Sequence, residues 1–256
     1  MNLDNAHLPA LIEDGEPVLS ILGCPNLPLV NTPATTTVPY GLWSEEEVHE
    51  SESSSSMFST SRGCLFVAVK DCGCYEIPLH VIEEYMLNKE DTNGKEWKKL
   101  QVTQNDGLTK PITQTKFCLG VERGFSDPKG TVLKIAEQIN GQDSLTDDVD
   151  GIQDIKNCVR LDGQGKYGLL ARGDSDCFLR LPKQGYVDWV WDVSAGYLVL
   201  KEAGGEMTDV SGQPIDFSEI GTERRAKLPD HVRGIFGSCG GVFHKALVES
   251  YSKVTR

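Results

Sequence analysis

Trp191-Asp192-Val193-Ser194-Ala195-Gly196, followed five residues later by Glu202-Ala203-Gly204-Gly205, is the stretch from which the rest of the chain is read. Apolar spacing across 191–203 predicts a helix, and the paired glycines behind it supply a C-terminal stop. Asp192 falls at the start of that helix. Free N–H groups and the positive end of the helix dipole favour a carboxylate there, and the same place suits a phosphate beside a cation. Ala195 and Gly196 in the first turn let another element approach closely. Spacing by itself is equally met by an ordinary capping Asp on a core helix.

Outward from this helix the pattern alternates. Strands are predicted at 206–210 and 234–238, with a final helix at 241–250. Upstream lie a strand at 177–181, a helix or short strand at 167–172, a strand at 157–161, a helix at 131–138 and a strand beginning at 116. Such alternation indicates a layered α/β arrangement over 116–256. The first part reads differently. Runs at 8–12 and 17–24 flank a Glu13-Asp14-Gly15-Glu16 turn, and runs at 63–69 and 74–79 flank Asp71-Cys72-Gly73. These are two hairpins, so 1–115 is expected to form a mainly antiparallel sheet. The acidic, serine-rich stretch 44–56 and the acidic stretch 141–154 read as solvated loops. The expected class is α+β in layers.

The chain has 256 residues, 25 basic against 38 acidic side chains, and a net charge of −13. So acidic a protein is a poor general binder of nucleic acid or anionic membranes, which call for clustered Lys and Arg. A small anionic substrate remains compatible where metal ions neutralise charge locally. The first twenty residues carry no basic segment followed by an apolar run, and no apolar stretch reaches transmembrane length. Eight cysteines in mostly apolar surroundings read as buried thiols of a reduced, cytoplasmic protein.

The Trp-Asp-x-x-Ala-Gly and Glu-Ala-Gly-Gly segments resemble the C-terminal signature of the inositol monophosphatase superfamily. Leu161-Asp162-Gly163-Gln164-Gly165-Lys166-Tyr167, Phe178-Leu179-Arg180-Leu181-Pro182 and the opening Leu11-Ile12-Glu13-Asp14-Gly15 are similar to its 3'(2'),5'-bisphosphate nucleotidase branch. The resemblance implies the C-terminal portion of the inositol monophosphatase and fructose-1,6-bisphosphatase-like sugar phosphatase fold. It implies a lithium-sensitive phosphoric monoester hydrolase that converts 3'-phosphoadenosine 5'-phosphate to AMP and phosphate. Asp192 matches a metal ligand, with Mg2+ as the metal. Lys166, Arg180, Ser126 and Gly163 match positions that contact the nucleotide. Lys is a mobile point charge and Arg a rigid donor fork, and both suit phosphate. Two positions depart from the pattern: Phe125 stands where the family usually has His, and Gly163 where it has Ser.

The family's Asp-Pro-Ile/Leu-Asp-Gly-Thr motif and a metal-binding Glu are expected upstream of Met1. Asp127-Pro128-Lys129-Gly130-Thr131 and Asp148-Val149-Asp150-Gly151 imitate the motif but lack its second Asp or its hydrophobic framing, and both read as decoys. The magnesium site is therefore expected to be incomplete, no catalytic residue is assigned within the 256 residues, and the chain by itself is expected not to turn over substrate. The hairpin arms are expected to expose an edge or a face. Two other readings stay open: a non-catalytic binding or regulatory relative that pairs with an intact paralogue, and an inositol monophosphatase proper.

Overall fold

The structure is a computed structural model. It describes residues 9–29, 62–88, 97–102, 110–120, 130–147, 154–161, 163–183, 185–218 and 226–255. Its first sheet opens with strands β1 (Ala10–Glu13) and β2 (Glu16–Pro28), joined by Asp14 and Gly15. Both turn residues have positive φ, 50° and 79°, as the two-residue turn that matches strand twist requires. Strands β3 (Arg62–Val69) and β4 (Gly73–Pro78) follow, turning through Asp71 at φ 63°. Helix α1 (Leu79–Asn88) leads on to β5 (Lys98–Leu100). The five strands lie in sequence order, each antiparallel to the next.

Side chains alternate across this sheet, and its two faces differ. Ser20, Ala68 and Cys74 align across β2, β3 and β4, as do Leu22, Phe66 and Glu76, and all six are buried. On the opposite face Leu11, Leu19 and Val69 align across β1, β2 and β3 at 49%, 37% and 39% exposure. Ile21, Val67 and Tyr75 form the next row, half buried. This is the exposed apolar face expected of the hairpin arms.

The second sheet is mixed, ordered β7-β6-β8-β10-β9. Its strands are β6 (Phe117–Leu119), β7 (Cys158–Arg160), β8 (Cys177–Arg180), β9 (Glu206–Asp209) and β10 (Ile235–Ser238). β6 runs parallel to β7 and β8, and β10 antiparallel to β8 and β9. Helices α3 (Gly165–Arg172) and α4 (Ser194–Glu202) lie between the two sheets, while α2 (Thr131–Asn140) and α5 (Gly241–Val254) pack together beyond the second. The result is a layered α/β fold with a hydrophobic core drawing on both sheets.

Two glycines set the inter-sheet spacing. A Cβ on Gly168 of α3 would lie 2.4 Å from the Phe66 ring of β3, and one on Gly196 of α4 would lie 2.1 Å from the Tyr167 ring of α3. A buried ion pair spans the same gap, with Arg172 Nη2 of α3 donating to Glu76 of β4 at 2.6 Å.

One local expectation needs correction. The predicted helix over 191–203 is broken. Val190–Asp192 form a 3-10 turn, Val193 at φ −128° interrupts it, and α4 starts at Ser194. Helix α1 and strand β5 were not anticipated. The run 167–172, open between helix and strand, is helical.

Candidate functional site

Hydrogen bonds join the N-terminal end of α3 to the 3-10 turn before α4, and Arg180 at the end of β8 acts on the same turn electrostatically. Asp192 ends that turn, one residue before the cap of α4, and no side chain caps that helix. Its carboxylate therefore does not cap α4 as the sequence suggested. It is the Asp192 backbone carbonyl that is tethered. Gln164 Nε2 donates to it at 2.5 Å and the Tyr167 hydroxyl at 3.2 Å. Both donors come from the start of α3, which ties the Asp192 turn to that helix.

Two cations and a second acid act electrostatically on the Asp192 carboxylate. Asp192 is half buried, and burial raises its pKa above the usual aspartate value; Arg180 and Lys166 pull it back down, and Asp188 pushes it further up. Both sequence-predicted cations are thus electrostatically coupled to Asp192. Lys166, in the first turn of α3, is buried, with Nζ 5.7 Å from the Phe178 ring centroid. Arg180 closes β8 and donates through Nε to Asp188 at 2.5 Å. Asp188 is only 2% exposed. Burial raises its pKa, opposed by Arg180 and Lys166.

Gly163 precedes α3 at φ 65°, exposed. That is a left-handed conformation glycine adopts without strain, and it offers the site backbone only. Ser126 lies outside the described residues, together with Phe125, Asp127, Asp148 and Asp150.

Asp188 is the main residue that sequence reasoning passed over. The available signal was an acid embedded in Val187-Asp188-Trp189-Val190, a run otherwise apolar. Gln164 and Tyr167 belong to the 161–167 motif, which by itself assigns them no role. Beside them Trp191, half exposed, stacks on Trp189 with centroids 4.6 Å apart, and Lys227 Nζ lies 4.7 Å from the Trp189 centroid.

Among the described residues no three His, Cys, Asp or Glu side chains gather as a metal cage. Asp188 is engaged by Arg180, and among the described residues of this cluster Asp192 is the carboxylate with no hydrogen-bonded cation. Asp192 alone would be a partial site for Mg2+, which relies on several oxygen ligands. The cysteines are free thiols, and burial pushes those of Cys118 and Cys239 up to about 12. Among the described residues no helix is long and apolar enough to cross a membrane.

Known proteins bear on this arrangement. A sequence model of the inositol monophosphatase family matches residues 8–250. A 3'(2'),5'-bisphosphate nucleotidase of Schizosaccharomyces pombe is 32% identical over 248 residues, covering 96% of this chain and 53% of the relative. That of Dictyostelium discoideum is 31% identical over 210 residues, covering 82% and 46%. The chain thus spans about half the length of these curated relatives. In fold it is similar to an inositol monophosphatase from Zymomonas mobilis, with TM-score 0.53 and 14% identity, over 96% of this chain and 62% of that one. An inositol monophosphatase from Anabaena gives TM-score 0.52 at 13% identity, over 97% and 64%. At such identities the structures speak for the fold alone, and the sequence match carries the family. The chain belongs to the inositol monophosphatase family.

Proposed function

We propose that the chain supplies the nucleotide-facing part of a 3'(2'),5'-bisphosphate nucleotidase, a magnesium-dependent phosphoric monoester hydrolase acting on 3'-phosphoadenosine 5'-phosphate. The names of the relatives from S. pombe and D. discoideum support this reading. What supports it further is the electrostatic influence of Lys166 and Arg180, from two different elements, on Asp192. Lys166 offers a point charge and Arg180 a donor fork to phosphate oxygens. Asp192 provides one oxygen ligand to Mg2+, whose chemistry when bound is to activate water and steady the leaving oxygen. Such a site relies on several carboxylates plus the substrate phosphate, so the described residues bind and orient rather than complete the reaction. Ser126 and the backbone at Gly163 are assigned to the nucleotide by resemblance. The free thiols support a cytoplasmic setting.

The test is calorimetric titration of the 256-residue chain with adenosine 3',5'-bisphosphate, with and without Mg2+, alongside a phosphate-release assay. Binding without turnover is expected. Lys166→Ala and Arg180→Ala should each weaken binding by about tenfold or more, since a charged hydrogen bond contributes about 1.5–3 kcal/mol. Asp192→Asn should remove the magnesium dependence. Inositol 1-phosphate binding as tightly as the nucleotide would sink the nucleotide reading. Lithium-inhibitable phosphate release, lost on Asp192→Asn, would overturn the expected lack of turnover.

A second reading rests on the half-exposed Leu11, Leu19 and Val69 row. In it the chain is a non-catalytic family member that pairs through this face with an intact paralogue. Co-purification with such a paralogue, abolished by Leu19→Lys, is its expected signature.

A further inference from the structure

Resting on that reading, we propose that Asp188 is the positioning residue for Arg180, holding its Nε so that the Nη1–Nη2 end of the guanidinium is the part presented to a phosphate group. The Nε–Oδ1 contact is 2.5 Å. The pair is unequal in burial, with the Asp188 side chain 3% exposed and the Arg180 side chain 27%. A pair serving only the core would hide both partners. Here the acid is hidden and the cation faces outward, which is how a support and a working group are arranged.

Both members stand on fixed backbone. Arg180 pairs with Ile235 in the β8–β10 ladder. The Asp188 carbonyl accepts from Leu228 N at 2.9 Å, and Val190 N donates to Ala226 O at 2.8 Å. The guanidinium therefore has one orientation set before any ligand arrives, and less rotamer freedom is lost on binding. Among the described residues Asp188 is its only hydrogen-bond partner, and that bond occupies Nε. A phosphate then meets the Nη1–Nη2 end.

Charge and geometry make opposite forecasts for Asp188→Asn. A buried carboxylate beside an anion site repels the anion, so as a mere charge its removal would tighten nucleotide binding. As a positioning group, its loss frees Arg180 and weakens binding. Groups that orient metal-ligating side chains typically account for about 10–100-fold in metal affinity, and a loss at the lower end of that range is expected for an orienting group behind a phosphate-binding arginine.

The experiment uses the 256-residue chain with 15N-labelled arginine. In the unliganded protein the Arg180 Nε–Hε resonance, identified by its absence in Arg180→Lys, should be shifted downfield and slow to exchange. Asp188→Asn should return it to the ordinary range, and Asp188→Glu should retain it. Adenosine 3',5'-bisphosphate should bind Asp188→Asn about tenfold more weakly or worse, with Asp188→Glu recovering much of the loss and circular dichroism unchanged. Equal or tighter binding by a folded Asp188→Asn overturns the proposal. So does an Arg180 Hε in the wild-type chain that exchanges as fast as those of exposed arginines, a readout that stands even where Asp188→Asn fails to fold. Failure of the wild-type chain to bind the nucleotide instead overturns the functional reading and with it the phosphate role, while the Hε signal alone still decides whether Asp188 orients Arg180.

Discussion

The two sheets are buried in different ways. β6, β8 and β10 sit between the α3/α4 layer and the α2/α5 layer, and Phe117, Cys118, Phe178, Ile235 and Phe236 are almost wholly removed from water. Parallel strands are normally covered on both faces in this manner. The first sheet has Phe66 and Leu22 fully buried on its inner face but Leu11, Leu19 and Val69 partly in water on its outer one. The difference teaches where the molecule is held and where it is open. Shape is anchored between the sheets, where α3 carries Lys166 and tethers Asp192. The outer face of the first sheet contributes little to that anchor.

The largest expected effect tests the two faces directly. Phe66→Ala removes a ring packed against Gly168 and lying 5.5 Å beneath the Arg172 guanidinium. It should cost about 3–5 kcal/mol in urea unfolding. Leu19→Ala, on the outer face, should cost about 1 kcal/mol or less. Comparable losses would break the comparison. The outer face should also bind a hydrophobic dye, and Leu19→Thr with Val69→Thr should reduce the signal.

An intermediate effect is expected at the helix contact between the sheets. In Gly196→Ala the new methyl lies 2.1 Å from the Tyr167 ring, and overpacking of this kind costs about 1–3 kcal/mol. Tyr167 must move, and its hydroxyl holds the Asp192 carbonyl. Nucleotide affinity should therefore drop more than in Gly173→Ala at the far end of α3, where a Cβ meets nothing within 4 Å. Equal affinity in the two variants would uncouple the helix packing from the site.

The smallest effect concerns the outer layer of the second sheet. Buried His244 of α5 lies between Thr208 Oγ1 of β9 at 2.9 Å and Ser238 Oγ of β10 at 3.0 Å. Burial holds its imidazole below the usual histidine range, partly offset by Glu206 at 3.9 Å. In the unfolded chain it titrates at about 6.5. Above that pH its contribution is fully present. As the pH falls through it, the unfolded state takes up protons that the folded state refuses, and stability declines. Urea midpoints between pH 7.5 and 5.5 should fall more steeply for wild type than for His244→Gln. Parallel slopes would remove His244 from the acid response.

Much of the fold was legible because its signals are local. Asp14-Gly15 and Asp71 through Gly73 turn the first sheet, and positive φ at Asp14, Gly15, Asp71 and Gly73 is a property of a few adjacent residues. Helix α1 was not legible. Leu79, His80, Val81 and Ile82 follow Pro78 without a capping side chain, and Tyr85, Met86 and Leu87 are exposed, so no clean polar face marks a helix. The break at Val193 was hidden for the opposite reason. Apolar spacing runs through it, while the tether on the Asp192 carbonyl comes from Gln164 and Tyr167, some 28 and 25 residues away.

By itself, then, the sequence determined the hairpins, the alternating second half, the membership of a family and the candidates Asp192, Lys166 and Arg180. These depend on turn chemistry, periodicity and short motifs, each complete within a few residues. Tertiary structure alone decided that the α3/α4 layer separates two unequally buried sheets, that Glu76 meets Arg172 across 96 residues, and that Asp188 stands behind Arg180. A buried carboxylate needs a cation or hydrogen-bond donors to meet it, and which distant cation meets Glu76 or Asp188 is a matter of which elements pack together, which no local pattern records.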